Sequence, residues 1–140
     1  MILLDTNVVS EMMRDRPDPR TVAWLNNQIV EDLAISTISL SEILLGIASL
    51  PDGRRKIGLS QSFGAQMAGL FGSRILSFDV AAAQAYAMLV SQARAQGRAI
   101  GRADGEIAAI AMARGLIVAS RDTAPFEAAG LMVINPWSIT

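Results

Sequence analysis

Five short apolar runs, separated by stretches of helical periodicity, constrain this chain more than any other feature. They are Ile2-Leu3-Leu4, Leu33-Ala34-Ile35-Ser36, Ile75-Leu76-Ser77-Phe78, Leu116-Ile117-Val118-Ala119 and Leu131-Met132-Val133-Ile134. Each is too short for a helix and too uniformly apolar for a half-solvated strand, so each reads as a strand buried on both faces. Strands alternating with helices imply a parallel, doubly wound sheet covered on both sides, an α/β fold in a three-layer α/β/α sandwich. The 140 residues contain no internal repeat, low-complexity tract or linker, and one domain over residues 1–140 is expected.

The helices follow from periodicity and breakers. Asn7 to Arg14 is a short helix stopped by Arg16-Pro17-Asp18-Pro19, and Arg20 to Val30 carries an apolar stripe of Val22, Trp24, Leu25 and Ile29. Ser39 and Glu42 have the spacing of a capping box at the start of the next helix. Arg54 to Leu70 is expected to be helical with interruptions at Gly58 and Gly64, and Asp79 to cap an Ala-rich helix reaching about Gln96. Gly97, Gly101 and Gly105 read as breakers. Beyond them Asp104 opens a helix on which it shares a face with Ile107, Ala108 and Ala111, leaving Glu106 exposed. Pro125 sits in the first turn of a last short helix closed by Gly130.

Composition narrows the chemistry. There is no cysteine and no histidine, which excludes a thiolate nucleophile, a Ser-His-Asp triad, imidazole acid/base catalysis and an ordinary zinc site. Lack of cysteine suits a reducing cytosol, and no basic-then-apolar leader or membrane-length run is present, so a cytoplasmic protein without a signal peptide is expected. The formal charge of −1 provides no global basic field, so any nucleic-acid site must be local. A hydrophobic fraction of 51% hints at apolar surface covered by a partner, with Val9, Met12, Met13 and Trp24 as candidates for that face.

What remains are carboxylates. Asp5 ends the first strand, Asp122 follows the fourth, and Glu42 and Asp104 lie near helix starts. Loops after parallel strands converge on the edge of the sheet where ligands bind. Taken alone, Asp5 reads better as a cap of the following helix, and Glu42 fits the capping box as well as it fits the crevice. Four in one crevice repel, and a divalent cation relieves the repulsion; oxygen-only ligation selects Mg²⁺ or Mn²⁺. Such a site suits phosphodiester hydrolysis.

Leu3-Leu4-Asp5-Thr6-Asn7, Ser41-Glu42 opening a helix, Ala103-Asp104-Gly105-Glu106-Ile107-Ala108-Ala109 and Ala119-Ser120-Arg121-Asp122, in that order, resemble the PIN-domain nucleases. Within them the chain is similar to the VapC toxins of toxin–antitoxin pairs, and to FitB-like proteins through its Met1 start and Asn135-Pro136-Trp137 end. The resemblance implies a metal-dependent ribonuclease. In it Asp5, Glu42, Asp104 and Asp122 hold Mg²⁺ or Mn²⁺, supported by Asn7 and by the hydroxyl of Ser120, where the family more often has Thr. It also implies a homodimer and a small DNA-binding antitoxin as partner. Arg94, Arg98, Arg102 and Arg121 are candidates for a basic rim that contacts RNA. Three other readings compete. A haloacid-dehalogenase-like phosphotransferase needs a second Asp where Asn7 stands, and a receiver-type domain needs a late-strand Lys, whereas the single Lys is Lys56. A non-catalytic partner-binding module, its acids serving only as caps, is the remaining alternative.

Overall fold

The computed structural model describes residues 1–139. Five parallel strands form one sheet: β1 (Ile2–Leu4), β2 (Leu33–Ser36), β3 (Ile75–Leu76), β4 (Ile117–Ala119) and β5 (Val133–Ile134). They run in the order β3-β2-β1-β4-β5, so β1 is central and the winding direction reverses between β1 and β4. Among the described residues seven α-helices accompany them: α1 (Thr6–Met12), α2 (Pro19–Asn26), α3 (Thr37–Ala48), α4 (Arg54–Phe71), α5 (Val80–Ala95), α6 (Arg102–Arg114) and α7 (Ala124–Ala128).

The two-residue period of the strands divides the core. Leu3 is in register with Ala34 and Val118, and all three face a layer built from Ala82, Leu89, Ile107, Ala108 and Phe126 of α5, α6 and α7. Leu4, in register with Ile35 and Ala119, faces the opposite layer, where Val8, Val9, Trp24, Ile43, Ile47, Phe63, Met67 and Phe71 come from α1 to α4. The expected three-layer architecture is therefore present, with β1 buried on both sides.

Several elements depart from expectation. The capping box at Ser39 is absent: the strand passes directly into α3, and the N-cap is Ser36, whose Oγ accepts from Ser39 N at 3.0 Å. Glu42 thus lies in the second helical turn and serves no cap. Helix α2 stops at Asn26 instead of Val30, because Asn27 N folds back onto Ala23 O and Trp24 O and the chain is extended by Ile29. Helix α4 runs unbroken through Gly58 and Gly64, since Phe63, Met67 and Phe71, four residues apart on one face, are buried against the sheet and hold the helix despite its poor propensity. Strands β3 and β5 are shorter than their apolar runs. Val9 and Trp24, expected on a partner face, belong to the core because α1 and α2 lie over the sheet, whereas Met12 remains 38% exposed.

Gly105 also corrects an expectation. It is no breaker: it lies inside α6, and a Cβ there would come within 2.9 Å of Tyr86 Cε2 and 3.4 Å of Val90 Cγ2 on α5. The missing side chain, with buried Ala108, Ala109 and Ala111 on the same helix, brings α6 close to α5 and to the sheet.

Candidate active site

The reversal between β1 and β4 puts the ends of these two strands side by side. Asp5 N donates to Ala119 O at 2.9 Å, which continues the ladder one residue past the strand and sets the Asp5 side chain beside Ser120. Asp5 is also the N-cap of α1, its Oδ1 accepting from Thr6 N at 2.8 Å. The capping reading and the crevice reading are both true of it.

Ser120 is fully buried and saturated. Its hydroxyl donates to Asp5 Oδ2 at 2.7 Å and accepts from Asn7 Nδ2 at 3.2 Å and from Asp122 N at 3.1 Å. Asn7 Oδ1 in turn accepts from Arg121 N at 3.2 Å. Asn7 and Ser120 therefore tie the loop after β4 to the start of α1 and set the position of Asp122, which is exposed. Glu42 is reached from the other side: Thr6 Oγ1 donates to Glu42 Oε1 at 2.7 Å and lies 2.9 Å from the buried Ser39 Oγ, which is itself 3.3 Å from Ser36 Oγ. Thr6, Ser36 and Ser39 escaped sequence reasoning; the signal that could have found them is the density of hydroxyls beside Asp5 and at the end of β2.

The electrostatics join all four acids. Burial is the main force lifting the Asp5 carboxyl from 3.8 to about 6; the Ser120 and Thr6 hydrogen bonds oppose it, and the charges of Asp104 and Glu42 add to it. Asp104 is likewise raised, first by burial and then by the charges of Asp122 and Glu42. Asp104 and Asp122 line a cleft of about 520 Å³ whose rim includes Arg98, Gly101, Pro125 and Glu127. Among the described residues no three acids stand close enough to make a closed metal cage. The donor set is nonetheless all hard oxygen, partly solvated and mutually repelling, which fits a cation that retains several of its waters.

The arginines divide. Arg98 borders the acid cleft, and with Arg94 it lines an adjoining hollow. Arg102 is engaged by Glu106, Nε to Oε1 2.8 Å, and the Glu106 side chain is only 17% exposed, against the expectation that it would be exposed. The Arg121 guanidinium stacks 5.4 Å from the centroid of Trp137.

The chain matches the PIN-domain family model over residues 2–131. It belongs to the PIN-domain family. This PIN domain is similar to the VapC ribonuclease Y4jK of Sinorhizobium fredii, 45% identical over 137 residues that cover 98% of each chain. It is similar to the toxin FitB of Neisseria gonorrhoeae, 47% identical over 137 residues covering 98% of this chain and 99% of that one. Its structure superposes on FitAB bound to an IR36 DNA fragment with a TM-score of 0.96 and 45% identity, covering 100% of this chain and 98% of that one. No helix among the described residues is long and apolar enough to cross a membrane.

Proposed function

We propose that this PIN domain is the endoribonuclease toxin of a toxin–antitoxin pair, hydrolysing RNA phosphodiester bonds with Mg²⁺ or Mn²⁺ held by Asp5, Glu42, Asp104 and Asp122. The observation that carries the reading is the buried Asp5 carboxyl at the β1/β4 reversal, joined by hydrogen bonds to Ser120 and by charge to Asp104 and Glu42. Isolated helix caps would not be coupled in this way. A hard cation held by these acids would neutralise charge on the phosphodiester and acidify an attacking water. The chain's own residues do the rest: Ser120 and Asn7 hold Asp5 and the Asp122 loop, Thr6 orients Glu42, and Arg98 offers a phosphate contact at the rim.

The likeness to a protein named VapC ribonuclease supports RNA as substrate. The likeness to a FitAB assembly on DNA supports a small DNA-binding antitoxin as partner; a homodimer in the cytoplasm is proposed with it, the compartment on the lack of cysteine. Purified partner-free protein is expected to cleave single-stranded RNA with Mg²⁺ or Mn²⁺ and not in EDTA. Asp104→Asn and Asp122→Asn should each abolish cleavage while the circular dichroism spectrum stays native. Cleavage in excess EDTA, or full activity in either variant, would sink the proposal.

A further inference from the structure

Two features of the sequence take no part in holding the four acids: the Asn135-Pro136-Trp137 end and the arginine between Ser120 and Asp122. The fold brings them together. Ser120 N donates to Ile134 O at 2.9 Å, so the segments that follow β4 and β5 leave the sheet side by side. The Asn135 side chain then clasps both: its Oδ1 accepts from Trp137 N at 2.9 Å, and its Nδ2 donates to Arg121 O at 3.5 Å. Arg121 N donates to Asn7 Oδ1 at 3.2 Å, which fixes the Arg121 backbone from a second side. Its guanidinium carbon lies 5.4 Å from the centroid of the Trp137 ring, and that ring is buried.

A cation placed in this way differs from most others in the chain. Arg14, Arg20, Arg55, Arg102 and Arg114 each pair with a carboxylate. Arg121 is exposed and makes no ion pair among the described residues. The aromatic ring attracts the guanidinium without neutralising it, so the full charge stays available to a ligand. A side chain already ordered also has less conformational freedom to lose on binding. Trp137 packs in the layer of α1 to α4, whereas Arg98 borders the acid cleft on the α6 and α7 side. The two cations therefore stand on opposite sides of the sheet edge, with the acid site between them.

We infer that Arg121, seated on Trp137 and clasped by Asn135, binds a backbone phosphate of the RNA strand on the side of the acid site away from Arg98. For the identity of the strand this rests on the ribonuclease reading above. Arg121 touches the substrate, while Trp137 and Asn135 are positioning residues that act through it. A strand laid across the sheet edge is then held by one phosphate on each side of acids that would otherwise repel it. Each of the two arginines supplies one such contact.

The test is binding, measured in EDTA so that no cleavage intervenes. Fluorescence anisotropy with a labelled single-stranded RNA compares wild type, Arg121→Gln, Trp137→Leu and the double variant over a series of salt concentrations. Removing one phosphate contact from a single strand takes roughly 0.7 off the logarithmic salt slope, so Arg121→Gln should lose about 0.7. If its line meets that of wild type near 1 M salt, its Kd at 0.1 M rises about five-fold. Trp137→Leu should weaken binding in the wild-type background and have no further effect beside Arg121→Gln, because the ring acts only through the guanidinium. Arg121→Gln carries the test alone if loss of the buried ring prevents folding, since the hydrogen bonds of Arg121 to Asn7 and Asn135 come from its main chain. Unchanged affinity and slope in Arg121→Gln would overturn the contact, as would wild type that binds no RNA. Weaker binding with an unchanged slope would overturn it too, by making Arg121 a base contact. Equal losses from Trp137→Leu with and without Arg121 would overturn the seating role. A reduced slope in Arg121→Gln, with a wild type that does not cleave in Mg²⁺, supports the contact and refutes the nuclease reading. Cleaving wild type with Arg121→Gln binding normally does the reverse.

Discussion

The Asp5 carboxyl is under opposing influences: burial and neighbouring acids lift its pKa to about 6, while Ser120 and Thr6 hydrogen-bond its charged form. Because the folded value lies above the unfolded 3.8, the folded state holds this proton more tightly. The associated stability is complete below pH 3.8 and is lost as pH rises through about 6. A shift of this size corresponds to on the order of 3 kcal/mol. In EDTA, the melting temperature of wild type minus that of Asp5→Asn should therefore fall between pH 4 and pH 7 and then level off. Following the difference avoids a constant offset, since an Asn amide cannot accept from both Thr6 N and Ser120 Oγ. A difference that rises with pH would show that hydrogen bonding outweighs desolvation at Asp5. The placement of this residue at the sheet edge was legible in the sequence because an acid ending a buried apolar run must have a partner. The route to Glu42 was not legible: Ser39 and Glu42 match a capping box by spacing, and only the abrupt passage from β2 into α3 moves the cap to Ser36.

At the level of elements, the two kinds of helical glycine separate cleanly. A Cβ on Gly64, in the middle of α4, meets nothing within 4 Å, so Gly64→Ala should gain roughly 0.5–1 kcal/mol from helix propensity alone. Gly105→Ala has the same propensity gain but drives a methyl to 2.9 Å from Tyr86, whose ring already packs edge-on against Phe78 with centroids 6.1 Å apart. Overpacking of this kind costs about 1–3 kcal/mol. Opposite shifts in thermal melts of the two variants are the expected result; a stabilised Gly105→Ala would mean that α5 and α6 separate without cost. Since Asp104 precedes Gly105, moving α6 should also lower cleavage. Both glycines looked like interruptions in the sequence, because the letter alone does not say whether a helix is held by neighbours on one face or needs the gap. The alternation of strands and helices, by contrast, was legible throughout, as it depends on local apolar pattern.

For the molecule as a whole, the raised pKa values of Asp5 and Asp104 mean that their charged forms weaken the fold. A cation that binds only the folded chain should recover stability by mass action, about 2.7 kcal/mol at one hundred times its dissociation constant. Mg²⁺ should thus raise the melting temperature of wild type and raise that of Asp104→Asn less; equal responses would place the cation elsewhere. The sheet order has a further consequence, for biosynthesis. The central strand is made first, yet one of its two neighbours is β4, and the Ser120 that engages Asp5 lies 115 residues further along. Until Ile117–Ala119 leaves the ribosome, β1 has an open edge and Asp5 lacks the hydroxyl that holds it. Non-local pairings of this kind form late. A chain whose translation is aborted between Asp104 and Ile117 carries Asp5, Glu42 and Asp104 without the neighbouring strand and the Ser120 hydroxyl that complete the surroundings of Asp5.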